Sequence, residues 1–218
     1  MSRCSLAIVI PAYNESSTIS RVVSHARSLA DVIVVDDGSR DETARIAQDA
    51  GARVLSLPGN SGYEAALNAG IEAAIGSGYT FALTMDADGQ HDVASARVIV
   101  EEAGDADVVV GLRRQKQRAM EWAAGWIGRV LWNIPDPFSG LKLYRLKTCA
   151  RLCPFDSRRL IGGELFVRAR REGLTVIGVP ISTTKRADAP RFDTQFRANL
   201  RLARATVFLI AIHFGIVR

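Results

Sequence analysis

Continuous apolar runs, separated by helical patterns, dominate the first half of the chain. The runs cover residues 6–12, 31–39, 53–57, 80–88 and 106–111. Between them, apolar residues recur every three to four positions, as one face of a helix requires. Because the apolar residues within each run are consecutive rather than alternating, the strands should be covered on both faces. The pattern therefore predicts an α/β fold with a mostly parallel, Rossmann-like sheet flanked by helices.

The pattern becomes less regular after Gly111. It predicts a turn leading into a strand over 136–145, a helix over 161–174, a strand over 175–181 and a helix from Asp193 onward. The last helix carries Arg197, Arg201 and Arg204 on one side. The sequence contains no internal repeat, low-complexity tract or linker. We therefore expect a single domain over 1–218, with one half at about 1–111 and the other at about 112–218.

Polar side chains follow three of the predicted strands at their carboxyl ends. They are Asn14 with Glu15, Asp36 with Asp37, and Asp86 with Asp88. Ligands of an open parallel sheet bind beyond this edge. Carboxylates can bind ribose hydroxyls, and one or two carboxylates together with substrate phosphates typically hold Mg²⁺. A metal-bound diphosphate would also neutralise acids that otherwise repel one another. The pattern thus indicates a site for a nucleotide diphosphate with Mg²⁺ or Mn²⁺.

The charge distribution indicates an anionic partner. The net charge is +5, most acids precede residue 110, and arginine dominates after it. Phosphates or a membrane surface fit this asymmetry, whereas the basic residues lack the interleaved aromatics of known nucleic-acid-binding motifs. No run reaches the ~18 to 20 apolar residues needed to span a bilayer, and the first residues do not resemble a signal peptide. The sequence predicts a cytoplasmic protein, peripheral on the cytoplasmic face of the membrane.

The apolar stretch over 205–217 has three possible places. It is short and contains His213. It can lie in the membrane interface beside the arginine stripe, complete the protein core, or form a contact between copies of a homo-oligomer.

Four motifs identify a family. They are VIPAYNE over 9–15, VVDDGSRDET over 34–43, GNSGYEAALNAG over 59–70 and MDADGQHD over 85–92. In order and spacing they resemble the nucleotide-sugar half of the inverting family 2 glycosyltransferases. The segments DPFSGLKLYR, GGELFVRARREG and KRADAPRF resemble the polyprenyl-phosphate branch of that family, typified by dolichyl-phosphate mannosyltransferase. The resemblance covers about residues 5 to 200. It implies the glycosyltransferase A fold and metal-dependent, inverting transfer of a sugar from a nucleotide diphosphate to undecaprenyl or dolichyl phosphate.

The resemblance also implies roles for residues of the donor half. Pro11, Tyr13 and Glu15 would frame the base, with Asp37 near the base or ribose. Asp86, Asp88 and Gln90 would hold the metal and the diphosphate, with Asp88 as a catalytic residue.

The acceptor half carries the candidate phosphate ligands. They are Arg113, Arg114, Arg129, Ser139 and Arg186. A lipid phosphate is already an anionic nucleophile, so it needs cations rather than a strong general base. Arginine suits this task because its planar guanidinium binds phosphate with two hydrogen bonds. Arg129 follows Trp126 by three residues, so a helix would place the cation and the ring on one face.

Other functions remain open at this point. A family 2 enzyme acting on a saccharide or another hydroxyl acceptor would need a carboxylate base, for which Asp136 and Glu164 are the candidates. From other classes, the chain can be a nucleotide-binding module without activity or a nucleotidyltransferase. A nucleotidyltransferase usually has a glycine-rich, basic loop after its first strand, and PAYNESSTIS has neither glycine nor lysine.

Overall fold

The computed structural model describes residues 5–114, 118–183 and 195–217. Within these residues, the strands are β1 (Leu6–Ala12), β2 (Asp31–Asp36), β3 (Arg53–Ser56), β4 (Phe81–Thr84), β5 (Val108–Arg113), β6 (Lys142–Arg145) and β7 (Val176–Ile181). The helices are α1 (Ile19–Ala26), α2 (Thr43–Asp49), α3 (Tyr63–Gly76), α4 (Val93–Glu101), α5 (Ala119–Trp132), α6 (Leu146–Cys149), α7 (Glu164–Arg171) and α8 (Gln195–His213). The strand–helix alternation predicted for the first half is confirmed.

All of these strands belong to one sheet, in the order β3-β2-β1-β4-β6-β5-β7. Neighbouring strands are parallel except around β6, which runs antiparallel to both β4 and β5. The mostly parallel sheet is therefore confirmed. The predicted fourth and fifth strands are not neighbours, however, because β6, from the second half of the sequence, lies between them.

The strands β1, β2 and β4 are buried on both faces, as the continuous apolar runs predict, but the edge strand β3 has only exposed and half-buried residues, so the prediction is wrong there. On β1, Val9 packs into the core on the side of α3, whereas Ile10 packs on the side of α1. Neither residue has any exposed surface. Since nearly every position of β1 meets a core, polar residues would be costly there, and the polar residues Asn14 and Glu15 follow the end of this strand.

Two predicted elements have different limits or surroundings in the structure. β4 ends at Thr84, so Asp86 and Asp88 lie in the following turn rather than on the strand. The last helix, α8, packs against α5 and α7 and buries Leu209 and Ile212 completely. Of the three places open to the apolar C-terminal stretch, its buried face therefore takes the core. Among the described residues, no helix is long and apolar enough to cross a membrane.

Candidate active site

The loops after β1, β2 and β4 are joined by hydrogen bonds at the carboxyl edge of the sheet. The Asn14 side-chain oxygen accepts from the Arg40 amide at 2.8 Å, which links the first two loops. The Thr18 hydroxyl donates to the carbonyl of Ala87 at 2.8 Å, which links the first loop to the turn after β4. The polar residues that the sequence places after three separate strands thus lie on one continuous, interconnected edge.

Asp37 holds the loop that leads into α3. Its two carboxylate oxygens accept from the amides of Ser61 at 2.7 Å and Gly62 at 2.8 Å. Gly38 follows in a left-handed conformation, and a Cβ atom there would lie 2.6 Å from the Cα of Gly59. Glycine is therefore required where the two loops touch. Asp37 organises the edge at which we expect the nucleotide, and its direct contact with base or ribose stays a prediction.

Asp86 is held by two neighbouring side chains. The Tyr63 hydroxyl donates to Oδ1 at 3.0 Å, and the His91 Nε2 lies 3.3 Å from Oδ2. Burial by itself raises the pKa of Asp86, but the hydrogen bond and charge of His91 and the hydrogen bond of Tyr63 outweigh it, so the pKa is lowered overall. The carboxylate is therefore kept ionised, as a cation ligand must be.

The turn formed by the DPFSG segment packs directly onto this carboxylate. A Cβ atom at Gly140 would overlap the Asp86 carboxyl group. The Gly140 carbonyl accepts from the Thr84 hydroxyl at 2.8 Å, which fixes the turn to the end of β4. The DPFSG segment and the MDAD segment, which are far apart in sequence, thus lie together at one place. Glycine at 140 permits this approach because no side chain intervenes.

Asp136 and Arg113 form a buried ion pair beside Asp86. The Arg113 Nε donates to Oδ2 at 2.8 Å and Nη2 donates to Oδ1 at 2.9 Å. The Arg113 amide also donates to Oδ2 at 3.1 Å. Although burial opposes it, the pair raises the pKa of Arg113. Both oxygens of Asp136 are occupied, so the carboxylate is poorly prepared to remove a proton from a hydroxyl.

Lys142, on β6, is a fully buried cation behind the site. Its Nζ donates to the carbonyl of Ser139, and only 2% of the residue is exposed. Burial lowers the pKa of Lys142 to about 8, against the opposing charges of Asp136 and Asp86. Ser139 itself has no exposed surface, and its hydroxyl accepts from the Leu141 amide at 3.4 Å. In this conformation Ser139 shapes the turn and has no direct access to an acceptor phosphate.

Glu164 is the anchor of a loop rather than an open carboxylate. It has no exposed surface, and it accepts from the Ser157 amide at 2.9 Å and the Arg158 Nη1 at 2.8 Å. The Arg168 Nη1 lies 3.8 Å away. Like Asp136, this candidate base is already engaged by a guanidinium group.

The loop over 156–162 is strained and strongly held. Arg159 and Ile161 have φ values of 58° and 57°, a conformation that side chains rarely adopt and that costs about 1 to 3 kcal/mol each. The Glu64 Oε1 accepts from the Ile161 amide at 3.2 Å, and Asp156 accepts from the amides of Leu160 at 2.9 Å and Gly162 at 3.0 Å. The Cβ position of Gly162 lies 3.9 Å from the Lys142 Nζ, so this loop adjoins the buried lysine.

The remaining residues with predicted roles differ in how exposed they are. Pro11 is buried within β1, and Tyr13 is half-buried just after it. Glu15 is buried and accepts from the Thr18 hydroxyl at 3.1 Å. Arg114 and Arg129 are exposed, the latter on the outer face of α5. Arg186 lies outside the described residues, and the roles of all six toward ligands stay predictions.

The residues at this edge fit a divalent cation that depends on substrate phosphates. Asp86 is ionised. Asp88 follows in the same turn, and its carboxylate accepts a hydrogen bond from the Gln90 amide at 3.0 Å. Over the described ranges, no three acidic, histidine or cysteine side chains converge on one point. One or two carboxylates are what Mg²⁺ or Mn²⁺ needs when phosphates complete its coordination. The Nδ1 atom of His91 is buried and has no hydrogen-bond partner within the described chain. It is a further polar atom of the residue that contacts Asp86 through Nε2.

Sequence reasoning missed four residues of this cluster. They are Tyr63, His91, Lys142 and Asp156. The first two stand within motifs that were recognised, but their contact with Asp86 depends on how the loops fold. A lysine inside the apolar segment LKLY was a usable signal, because an ionisable residue in a buried strand seldom lacks a role.

The chain is similar in sequence to two enzymes whose names include undecaprenyl phosphate and polyprenol. It is 29% identical over 202 residues to the undecaprenyl-phosphate mannosyltransferase of Micrococcus luteus, covering 82% of this chain and 83% of the relative. It is also 29% identical over 205 residues to the polyprenol monophosphomannose synthase of Mycolicibacterium smegmatis, covering 82% of this chain and 77% of that protein.

The fold is shared with solved structures. Glucosyl-3-phosphoglycerate synthase from Mycobacterium tuberculosis, in complex with phosphoglyceric acid, has a TM-score of 0.79 at 20% identity and covers 100% of this chain and 82% of its own. The same enzyme in complex with Mn²⁺, UDP and phosphoglyceric acid has a TM-score of 0.78. These neighbours confirm the glycosyltransferase A fold. The model of the family described as Glycosyl transferase family 2 matches residues 7–155, and the chain belongs to that family.

Proposed function

We propose that this glycosyltransferase moves a sugar from a nucleotide diphosphate to a polyprenyl phosphate, with inversion and with a divalent cation. The relatives named for undecaprenyl phosphate and polyprenol cover most of the chain. The observation that carries the acceptor assignment is that Asp136 and Glu164 are both engaged by guanidinium groups.

The donor is proposed to bind along the edge made by the loops after β1, β2 and β4. Asp86 and Asp88 would hold the cation, with Gln90 close by, and the cation would offset the charge of the leaving diphosphate. A bound divalent ion is supported by the Mn²⁺ and UDP in the neighbouring structures, and by the lowered pKa of Asp86, which burial opposes and the His91 hydrogen bond produces.

The acceptor is proposed to approach over Gly140. An oxygen of the lipid phosphate would attack the anomeric carbon and form the new C–O bond. The bond from that carbon to the diphosphate would break, and its electron pair would leave with the nucleoside diphosphate. Since the attacking phosphate is already anionic, no carboxylate has to take a proton. Arg113, with Arg114 and Arg129, would supply positive charge around the phosphate.

A hydroxyl acceptor is the alternative, and the neighbours solved with phosphoglyceric acid favour it. That reaction requires a base with a free oxygen facing the acceptor. Asp136 and Glu164 are the candidate bases. The bidentate contact of Arg113 with Asp136 weighs against Asp136 as the base. The complete burial of Glu164 weighs against Glu164.

Transfer assays test the proposal directly. A panel of nucleotide sugars is offered with undecaprenyl phosphate in detergent, with Mg²⁺, with Mn²⁺ and with EDTA. We expect a glycosylated lipid phosphate only when a cation is present. Asp88→Asn should lower turnover by several powers of ten, because loss of one ligand charge weakens the cation–diphosphate contact.

Asp49→Asn is the matched control. Asp49 is an exposed acid on α2 that pairs with Arg45, so its substitution should leave turnover unchanged. Full turnover in EDTA would contradict the metal requirement. Transfer to phosphoglyceric acid but not to undecaprenyl phosphate would replace the lipid acceptor with the hydroxyl acceptor.

A further inference from the structure

The exposed large apolar side chains of this protein are concentrated on two neighbouring helices and the residues just after the second. Apart from Val98 on α4, which is 39% exposed, those found in the described residues all belong there. They are Trp122, Trp126 and Val130 on α5, Phe196, Leu200 and Val207 on α8, and Phe214 with Ile216 after α8. Scattered exposed apolar residues need no explanation, but a contiguous patch marks an interaction surface.

The outer face of α5 is apolar where a surface helix is normally polar. Trp122, Trp126 and Val130 follow one another at intervals of four, so they lie along one side of the helix. They are 60%, 70% and 63% exposed. The opposite side of α5 is buried and includes Trp132 and Ala124. α5 thus has apolar residues on both sides, which is typical of a helix that meets a second apolar environment.

The outer face of α8 continues this surface. Phe196, Leu200 and Val207 fall within about 40° of one another around a helix of 3.6 residues per turn, on the side away from the buried Leu209. α8 packs against α5, so the two exposed apolar faces belong to neighbouring helices. The six residues Trp122, Trp126, Val130, Phe196, Leu200 and Val207 are called the α5–α8 surface below.

Positive charge borders the α5–α8 surface and acidic charge is missing from it. Arg129 is exposed beside Trp126 on α5. Arg197, Arg201 and Arg204 are exposed on α8, about a quarter of a turn from its apolar stripe. Neither helix presents an exposed acid: α8 contains no Asp or Glu, and Glu121 of α5 is buried and paired with Arg118.

We propose that the α5–α8 surface docks on an anionic lipid bilayer. Exposed tryptophans with arginines beside them suit the interface between head groups and acyl chains. Anionic lipids complement the arginines. The inference rests on the proposed lipid acceptor in one respect: α5 connects Arg113 to Asp136, so docking through α5 would bring the site to the depth of a lipid phosphate.

Partition onto vesicles is the test, performed on the whole chain with neither sugar nor acceptor. Wild-type protein should float with vesicles of phosphatidylglycerol and phosphatidylcholine, much less with phosphatidylcholine alone, and less at high salt. The double variant Trp126→Ser with Val130→Ser should weaken partition by about tenfold or more. The double variant Leu200→Ser with Val207→Ser, on α8, should weaken partition to a similar extent. Agreement between the two double variants would exclude a folding defect of one helix as the cause.

Val98→Ser is the matched control, since it removes an exposed valine from α4 outside the surface. It should partition like the wild type, and the circular dichroism of all variants should match. The three tryptophans add a local readout: Trp132 is buried, whereas Trp122 and Trp126 are exposed. Emission should shift to the blue on vesicle binding, and brominated lipids should quench it, with a smaller effect in Trp126→Ser.

Two results would overturn the proposal. The first is equal partition of the wild type and both double variants. The second is that light scattering detects a dimer of the wild-type protein but a monomer of the α5 double variant, and that the wild-type protein does not bind vesicles. The α5–α8 surface would then bind a second copy of the chain. The failure of lipid-phosphate transfer in detergent would remove the proposed function and leave vesicle docking intact, so the two failures are distinguishable.

Discussion

At the scale of single residues, the buried cation Lys142 is the group whose chemistry depends most on the fold. Its ammonium lies near three carboxylates, Asp86, Asp136 and Asp156, all of which raise its pKa, yet burial is the larger effect and lowers the pKa to about 8. Removing a charge from water is costly even where opposite charges are near. Lys142 holds the DPFSG turn through the Ser139 carbonyl. Its buried charge therefore lowers the free energy of unfolding near neutral pH.

The loss of stability caused by the buried charge of Lys142 should depend on pH. The unfolded chain keeps the Lys142 proton up to about pH 10.5, whereas the folded chain loses it near 8. Between these values the unfolded state binds more protons, so the stability of the wild type rises with pH relative to a variant that does not titrate. The relevant quantity is the free energy of unfolding of the wild type minus that of the Lys142→Met variant. We expect this difference to increase by about 3 kcal/mol from pH 7 to pH 10.5.

Urea unfolding over that pH range measures the difference. Lys147→Met, at an exposed lysine on α6, serves as the control, and its difference from wild type should change little. A difference for Lys142→Met that is independent of pH would contradict this, because it would show that the pKa of the lysine is the same in the folded and the unfolded chain, as for a well-solvated ammonium group.

At the scale of elements, α8 has two faces with different tasks. One face is part of the core, where Ala205, Leu209 and Ile212 have no exposed surface. The other carries Val207, which is largely exposed. Helical periodicity alone does not separate these faces, because both are apolar. Packing against α5 and α7 decides which one is inside.

The two faces should respond differently to truncation. Leu209→Ala leaves a cavity in the core and should lower the free energy of unfolding by about 2 to 5 kcal/mol. Val207→Ala, two residues away on the outer face, should change it by less than about 0.5 kcal/mol. Urea denaturation of both variants in the absence of lipid makes the comparison. Similar losses from both would mean that the outer face is also covered in solution.

At the scale of the whole molecule, the carboxyl edge of the sheet gathers loops from both halves of the sequence. Asp37 holds residues 61 and 62, Thr18 holds Ala87, and Gly140 packs on Asp86. A ligand bound at this edge touches many loops at once, and each should become less free to open. The opposite edge has an open cleft lined by Ser5, Arg27 and Asp31, which should not respond.

Hydrogen exchange with and without a nucleoside diphosphate and Mn²⁺ can show this. We expect slower exchange over 36–41, 59–63 and 85–92, because the loops that frame the donor would be stabilised by mass action. Residues 27–31 at the opposite edge provide an internal reference and should exchange at the same rate. Protection that appears at 27–31 but not at 85–92 would place the nucleotide elsewhere.

The first five strands, the burial of most of them on both faces and the edge at which acids collect can all be predicted from the amino-acid sequence. Those features follow from local periodicity, since consecutive apolar residues such as those at 32–35 suit only a doubly covered strand. The position of β6 between β4 and β5 is evident only from the folded structure. The folded structure alone revealed the pairing of Asp136 with Arg113, the burial of Glu164 and the contact of Gly140 with Asp86. These partners are far apart in the chain, and packing of whole elements selects them, so no local pattern encodes the choice.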